Sequence, residues 1–443
     1  MIMMKKIGIL LLISVAVRAD TINNSTDFDT VIQYSNEKGV RLRGHSHQRH
    51  LKGSSSSKTP KMKKTPKMSE KYSEDEQDSC EGCETNGASN EANNRDPFNG
   101  FATNFGGQYT PFHISPGITS PGFPPVMPRM SKFSVEAYNV RTSVNPAFAY
   151  MGDDFLFSFD NGVGYSIAQK TLWRITHQSP VFVFPDGFRY GRVAYLGNDL
   201  VFVLGVDGDY LAGDVCNGRM GKIMNRLSGE IQWGAPFRVN NRGALPSITY
   251  IGKNEHGEHM VLNVYYLREF VDAYFYRIIL IKEDENGIIT QRLQPEVKIQ
   301  EGPLDPTFIH PSASAYFEQD GQDFVLVTVR SSANEYAVYR INRVGDGQLI
   351  GLTQWKPLPP NSKTIHELRT YPALDQGISD FVALERDGAT GISVMPYRLD
   401  QQFELSTGDF LNRIDVNTAT RSDDVGHGFA VFWLDPMIYE EAS

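Results

Sequence analysis

The sequence predicts an all-β protein: a five- or six-bladed β-propeller over residues 131–443, preceded by a long disordered N-terminal region. Three observations carry this reading. One short phrase returns through the C-terminal two thirds, a second phrase follows each copy, and no stretch there shows a long, capped 3.6-residue period. The second phrase recurs at roughly 50 to 60 residues, a period typical of propellers and arrays.

The first phrase runs from Pro and a small residue to Tyr, a turn, and an aromatic-apolar run. Its copies are Pro146 to Phe157, Tyr195 to Phe202, Pro246 to Leu262, Pro311 to Leu326 and Pro372 to Leu384. The second centres on arginine: Trp173-Arg174-Ile175, Asn225-Arg226-Leu227, Tyr276-Arg277-Ile278, Tyr339-Arg340-Ile341 and Tyr397-Arg398-Leu399. Each phrase reads as a strand, and Asp284–Gly287 and Gly345–Gly347 read as hairpin turns into further strands. Several strands per repeat fit propeller blades. The repeated arginines are expected at equivalent blade positions in a structural role, stems packed and guanidinium groups on loop carbonyls. Gly428–Leu434 resembles the start of another blade, and Phe133–Val140 is the expected partner from the other end, closing the ring without free edges.

With 443 residues, 40% of them apolar, the chain can build a large core. Its net charge of −9, with no basic face in the repeats, argues against nucleic acid as a partner. Residues 1–19 read as a secretory leader: Lys5 and Lys6, the apolar run Ile7 to Val17, then Val17-Arg18-Ala19 before the cut. No run reaches membrane-spanning length, so the expectation is a secreted, extracellular protein without a transmembrane segment.

Residues 20–130 lack sustained periodicity and read as a disordered region, basic and then acidic, ending in a Gly/Pro-rich linker from 97 to 130. Asn23 and Asn24 begin overlapping N-glycosylation sequons. Cys80 and Cys83 form a lone Cys-x-x-Cys, read as a local disulfide or two incidental thiols rather than a zinc site, and Cys216 stands apart. Between 41 and 71 the chain is strongly basic, with Lys58, Lys61, Lys64 and Lys67 at every third position. Closely spaced ammonium groups among modifiable Ser and Thr suit contact with silica or polyanions.

Arg49-His50-Leu51 followed by this lysine tract resembles the processing site and lysine clusters of silaffin-like diatom cell-wall proteins. The resemblance implies cleavage near Arg49 and Leu51 and a role at a mineralised wall. Typical members lack a large globular domain, which this chain has. Arg49-His50-Leu51-Lys52 is also similar to the Arg-x-Leu-Arg pattern of oomycete effectors, whose small helical domains differ from this β-rich body.

The usual catalytic templates are missing: there is no Gly-x-Ser-x-Gly, no phosphate-binding glycine loop and no His-Glu-x-x-His. His256-Gly257-Glu258-His259 reads as an exposed turn, and Asp207-Gly208-Asp209 lacks the remaining ligands of a calcium loop. No metal or cofactor is expected. Asn145-Pro146 to Phe157, Asp305-Pro306 to Leu326 and Glu301-Gly302-Pro303 resemble phrases of five-bladed arabinanase/xylosidase-type hydrolases. That resemblance implies Glu301 and Asp305 as a carboxylate pair working as acid and base. Asn145 stands where the family's base Asp would be, and an amide cannot take a proton from water. The preferred expectation is therefore a non-enzymatic extracellular binding or structural protein, associated with a mineralised or polysaccharide cell wall. Its partner would be a polysaccharide, silica or a protein, held by Val206–Lys222 and Gln300–Pro311. The alternative is a propeller glycoside hydrolase acting on a polysaccharide.

Overall fold

The computed structural model describes residues 98–103, 109–115, 129–132, 429–432 and most of 147–416. Within the last range it omits 153, 161–163, 172–173, 185–188, 208–214, 241–243, 268–272, 286, 303–310, 332, 372–377, 388–390 and 408–412. Every described residue belongs to the unit Gly87–Ser443.

Among the described residues all regular structure is β, arranged as six antiparallel sheets. The closing sheet takes β1 (Phe98–Thr103), β2 (Tyr109–Ser115) and β3 (Arg129–Lys132) from one end of the domain. The first contiguous sheet is β4 (Ala147–Gly152), β5 (Phe155–Asp160), β6 (Gly164–Thr171) and β7 (Arg174–Gln178). The second is β8 (Arg189–Gly197), β9 (Leu200–Asp207) and β10 (Val215–Asn225), with β11 (Glu230–Trp233) and β12 (Phe237–Asn240) sharing the edge of β10. The third repeats this plan with β13 (Ala244–Lys253), β14 (His259–Leu267), β15 (Ala273–Glu283), β16 (Ile289–Leu293) and β17 (Val297–Glu301). The fourth holds β18 (Ser312–Gln319), β19 (Gln322–Arg330), β20 (Asn334–Asn342), β21 (Gln348–Gly351) and β22 (Lys356–Pro357). The fifth holds β23 (Thr364–Tyr371), β24 (Ser379–Asp387), β25 (Gly391–Leu399), β26 (Leu405–Thr407) and β27 (Ile414–Asp415). Finally β28 (Phe429–Phe432) pairs with β1 and completes the closing sheet.

The leading strands β28, β4, β8, β13, β18 and β23 touch in succession, and β23 touches β28 again, so the ring is closed. This is a β-propeller with five sheets of contiguous chain and one sheet shared between both ends. Closure by both ends agrees with the sequence reading, but the strands differ. The stretch 98–132, read as linker, supplies three strands of the closing sheet, whereas 133–140 lies outside the described residues. The signal in the linker was the alternation of Phe112 and Ile114, both fully buried against Tyr371, Val382 and Val394 of the fifth sheet.

Apolar faces between neighbouring sheets form the core, each fully buried large side chain contributing about 1.5–3 kcal/mol. Between the second and third sheets lie Leu196, Phe202, Leu204, Val239, Ile248, Val261 and Ile279. Gly218 makes room there, since a Cβ on it would meet the Phe202 ring at 2.7 Å.

The returning phrase has a physical cause. Asn198 and Asp199 (φ 52° and 60°) make the two-residue turn between β8 and β9, and Asp320 and Gly321 (φ 51° and 69°) that between β18 and β19. Both turns match the twist of a tight hairpin. The phrase's tyrosine and acid then meet a cation from the end of the third strand. Arg226 donates to Asp199 at 2.8 Å and to the Tyr195 hydroxyl at 3.2 Å. Arg343 and Tyr316 share Asp323, and Lys170 reaches Asp154 at 2.8 Å beneath the Tyr150 ring. In the third sheet His259 replaces the acid and bonds the Tyr250 hydroxyl at 3.0 Å.

The second phrase does not mark one position. Arg174 opens a fourth strand, Arg226 follows the end of β10, and Arg277, Arg340 and Arg398 lie on third strands at different registers. Local sequence similarity does not see the one-residue shift that moves a side chain to the other face of a strand.

Candidate functional site between the second and third sheets

In the third sheet a row of side chains crosses from the ring outward. Ile248 on β13 pairs with Asn263 on β14, and Asn263 pairs with Arg277 on β15. This face packs on the second sheet, because Ile248, Val261 and Ile279 belong to the core shared with it. Opposite, a β-bulge where β12 joins β10 sets Asn240 against Cys216, itself part of the same core. Arg277 spans the two sheets: its Nη1 donates to the Val239 carbonyl, and its Nη2 lies 2.8 Å from Glu296.

The row is polar and unsatisfied. Asn263 is 0% exposed and Asn240 2%, yet neither amide oxygen nor amide nitrogen has a hydrogen-bond partner. Arg277 Nε is also buried without a partner, and the buried Tyr265 hydroxyl faces the Glu296 carboxylate. Each such group costs about 1–3 kcal/mol in a finished interior. Burial, reinforced by the hydrogen bond to the Glu296 carboxylate and by its charge, holds the Tyr265 phenol protonated well above the usual tyrosine range. Its hydroxyl therefore both donates and accepts. The cluster combines two amides, one hydroxyl and one guanidinium N–H over an apolar floor, and it reaches solvent at Glu296, whose side chain is 33% exposed.

A second polar cluster occupies the ring centre and is paired. Arg192 Nε on β8 lies 2.9 Å from one carboxylate oxygen of Glu367 on β23, and Arg369 lies 3.1 Å from the other. Strands β8 and β23 stand three places apart in a ring of six, so this ion pair spans the channel. The three buried carboxylates among the described residues, Glu367, Asp380 and Glu385, each face an arginine.

Glu301 closes β17 with its side chain 72% exposed and bound to Lys298 at 2.6 Å. Asp305, its expected partner, lies outside the described residues. So do Asn23, Asn24, Arg49, Leu51, Lys58, Lys61, Lys64, Lys67, Cys80 and Cys83. Of the two candidate loops, 208–214 and 303–310 are likewise outside; Gln300 bonds Glu335 at 3.0 Å. Of His256-Gly257-Glu258-His259, read as an exposed turn, His256 is exposed and Glu258 is held by Asn254 and Arg292, but His259 is buried at the start of β14, where it packs on Tyr250. Among the described residues no group of three His, Cys, Asp or Glu side chains could hold a metal, and no helix is long and apolar enough to cross a membrane.

Sequence reasoning missed Asn240, Asn263, Tyr265 and Glu296, and assigned Arg277 a purely structural role. One signal was available: Asn263 interrupts the apolar run His259–Leu267, where a polar side chain on a buried strand requires an explanation.

No protein-family model matches the sequence, and no curated protein is similar to it. Among solved structures the chain is similar to an arginine-to-alanine triple mutant of AofleA from Arthrobotrys oligospora, at 8% identity over 73% of this chain and 90% of that one, TM-score 0.41. It is similar to exo-β-1,3-galactanase from Phanerochaete chrysosporium, at 10% identity over 65% and 67%, TM-score 0.40. It is also similar to Aleuria aurantia lectin, at 8% identity over 73% and 93%, TM-score 0.40. Fold likeness at this distance transfers no function, so the chemistry rests on the residues of the site.

Proposed function

We propose that this propeller is a glycan-binding protein that receives a sugar unit between its second and third contiguous sheets. The observation that carries this reading is the pair of buried amides, Asn240 and Asn263, with all four polar atoms unpartnered beside the Tyr265 hydroxyl. A sugar presents hydroxyls that donate and accept together with an apolar C–H face. Amides and a hydroxyl above Val239, Val261 and Ile279 complement both. Ordered water could satisfy the same atoms, and binding measurements separate the two.

The test is calorimetric titration with soluble plant, fungal and algal wall polysaccharides, run beside a reducing-sugar assay. Binding that Asn263→Leu abolishes, without release of reducing ends, supports the reading. Hydrolysis lost in Glu301→Gln would establish the hydrolase alternative instead. Absence of any binding would overturn the glycan reading.

The predicted leader and lysine tract extend the proposal to an exported protein held at a polysaccharide or mineral wall. Mass spectrometry of the native N-terminus, with the wall-bound fraction, tests that part. A chain starting at Asp20 and fully soluble would remove it.

A further inference from the structure

Building on the glycan-binding reading, we infer that the site selects neutral sugars over uronic acids and that Glu296 sets this choice. Arg277 is the cation of the cluster, and a free guanidinium would seat a sugar carboxylate through two parallel N–H bonds. Here that fork is occupied. Nη2 is held by Glu296 at 2.8 Å and Nη1 by the Val239 carbonyl, which leaves Nε as its unpartnered donor. Glu296 and Arg277 are a 2.8 Å ion pair, so the carboxylate and guanidinium charges of the cluster offset each other.

The remaining capacity is neutral and two-sided: the amides of Asn240 and Asn263 and the protonated Tyr265 hydroxyl. A uronate entering here would have to displace Glu296 from Arg277 or sit beside its negative charge. A neutral hydroxymethyl or methyl group meets neither obstacle. Glu296 is thus a specificity-determining residue that acts through Arg277.

Matched pairs that differ only at C6 test the inference: methyl galactoside against methyl galacturonide, and methyl glucoside against methyl glucuronide, titrated at constant ionic strength. The expected wild-type result is at least one neutral glycoside bound about tenfold or more tighter than its uronide, a difference of roughly 1.4 kcal/mol. Glu296→Gln keeps the shape at a partly exposed position. It should shift the uronide-to-neutral affinity ratio about tenfold toward the uronide. Equal or tighter uronide binding by the wild type would overturn the inference while leaving glycan binding intact. So would an unchanged ratio in Glu296→Gln. If no glycoside or wall polysaccharide binds the wild type, the glycan-binding reading itself falls.

Discussion

Asp380 and Arg398 face each other across β24 and β25 in a two-pronged ion pair, at 2.8 and 3.1 Å, with side chains 0% and 4% exposed. One sheet earlier, the phrase Tyr339-Arg340-Ile341 matches Tyr397-Arg398-Leu399, but Arg340 pairs opposite Phe324 and points to solvent. The neighbouring acid Asp323 is served by Arg343 instead.

These two arginines should therefore respond differently to the same substitution. Removing one partner of a buried pair strands the other charge, so Arg398→Leu should cost about 3–5 kcal/mol in denaturant unfolding. Arg340→Leu, at an exposed position, should stay within about 0.5 kcal/mol. Similar costs at both sites would contradict the register described here.

Stability should fall in mild acid for a reason traceable to His259. Burial first, then the Lys253 charge, lowers its pKa from 6.5 to about 4. Between those values the unfolded chain takes up the proton and the folded chain does not, so lowering the pH favours unfolding. The loss should reach about 2–3 kcal/mol near pH 4.5. His259→Gln should remove that component while the carboxylate-driven loss remains. Parallel wild-type and variant curves from pH 7 to 4.5 would refute the assignment.

Asn263 should show the signature of a residue kept for binding. Asn263→Leu removes an unsatisfied amide from an apolar surround, so the fold should be unchanged or gain about 1 kcal/mol while glycan affinity is lost. A drop of more than about 1 kcal/mol would mean that the amide is held within the fold.

The closing sheet predicts where the chain tolerates truncation. Removing residues 1–96 spares β1, which begins at Phe98, and the cooperative melt should keep its midpoint. Removing residues 1–132 deletes β1, β2 and β3 and leaves β28 without its described partner. That variant should melt earlier and less cooperatively, as followed by calorimetry. An unchanged melt would show that the closing sheet contributes little to the ring.

Much of the fold was legible because its signals are local. The two-residue turns at Asn198-Asp199 and Asp320-Gly321 and the apolar runs after them follow from backbone preference and side-chain alternation over a few residues. The all-β class, the repeat and closure by both ends came from these. The start of the domain was not legible, since β1–β3 lie in a Gly/Pro-rich stretch whose strands are short and gain their stability from β28 and the fifth sheet.

The site was hidden for a stronger reason. Asn240, Asn263, Arg277 and Glu296 are brought together by a bulge, a cross-strand register and the packing of one sheet on another. The strands, their turns and their repetition can be read from local sequence, because interactions between near neighbours decide those. Which arginine of a repeated phrase is buried, and which amides share an interior, follows instead from how distant strands pair and pack. Register and sheet packing are set by contacts between residues far apart in the chain, and a one-residue shift reverses the face each side chain takes.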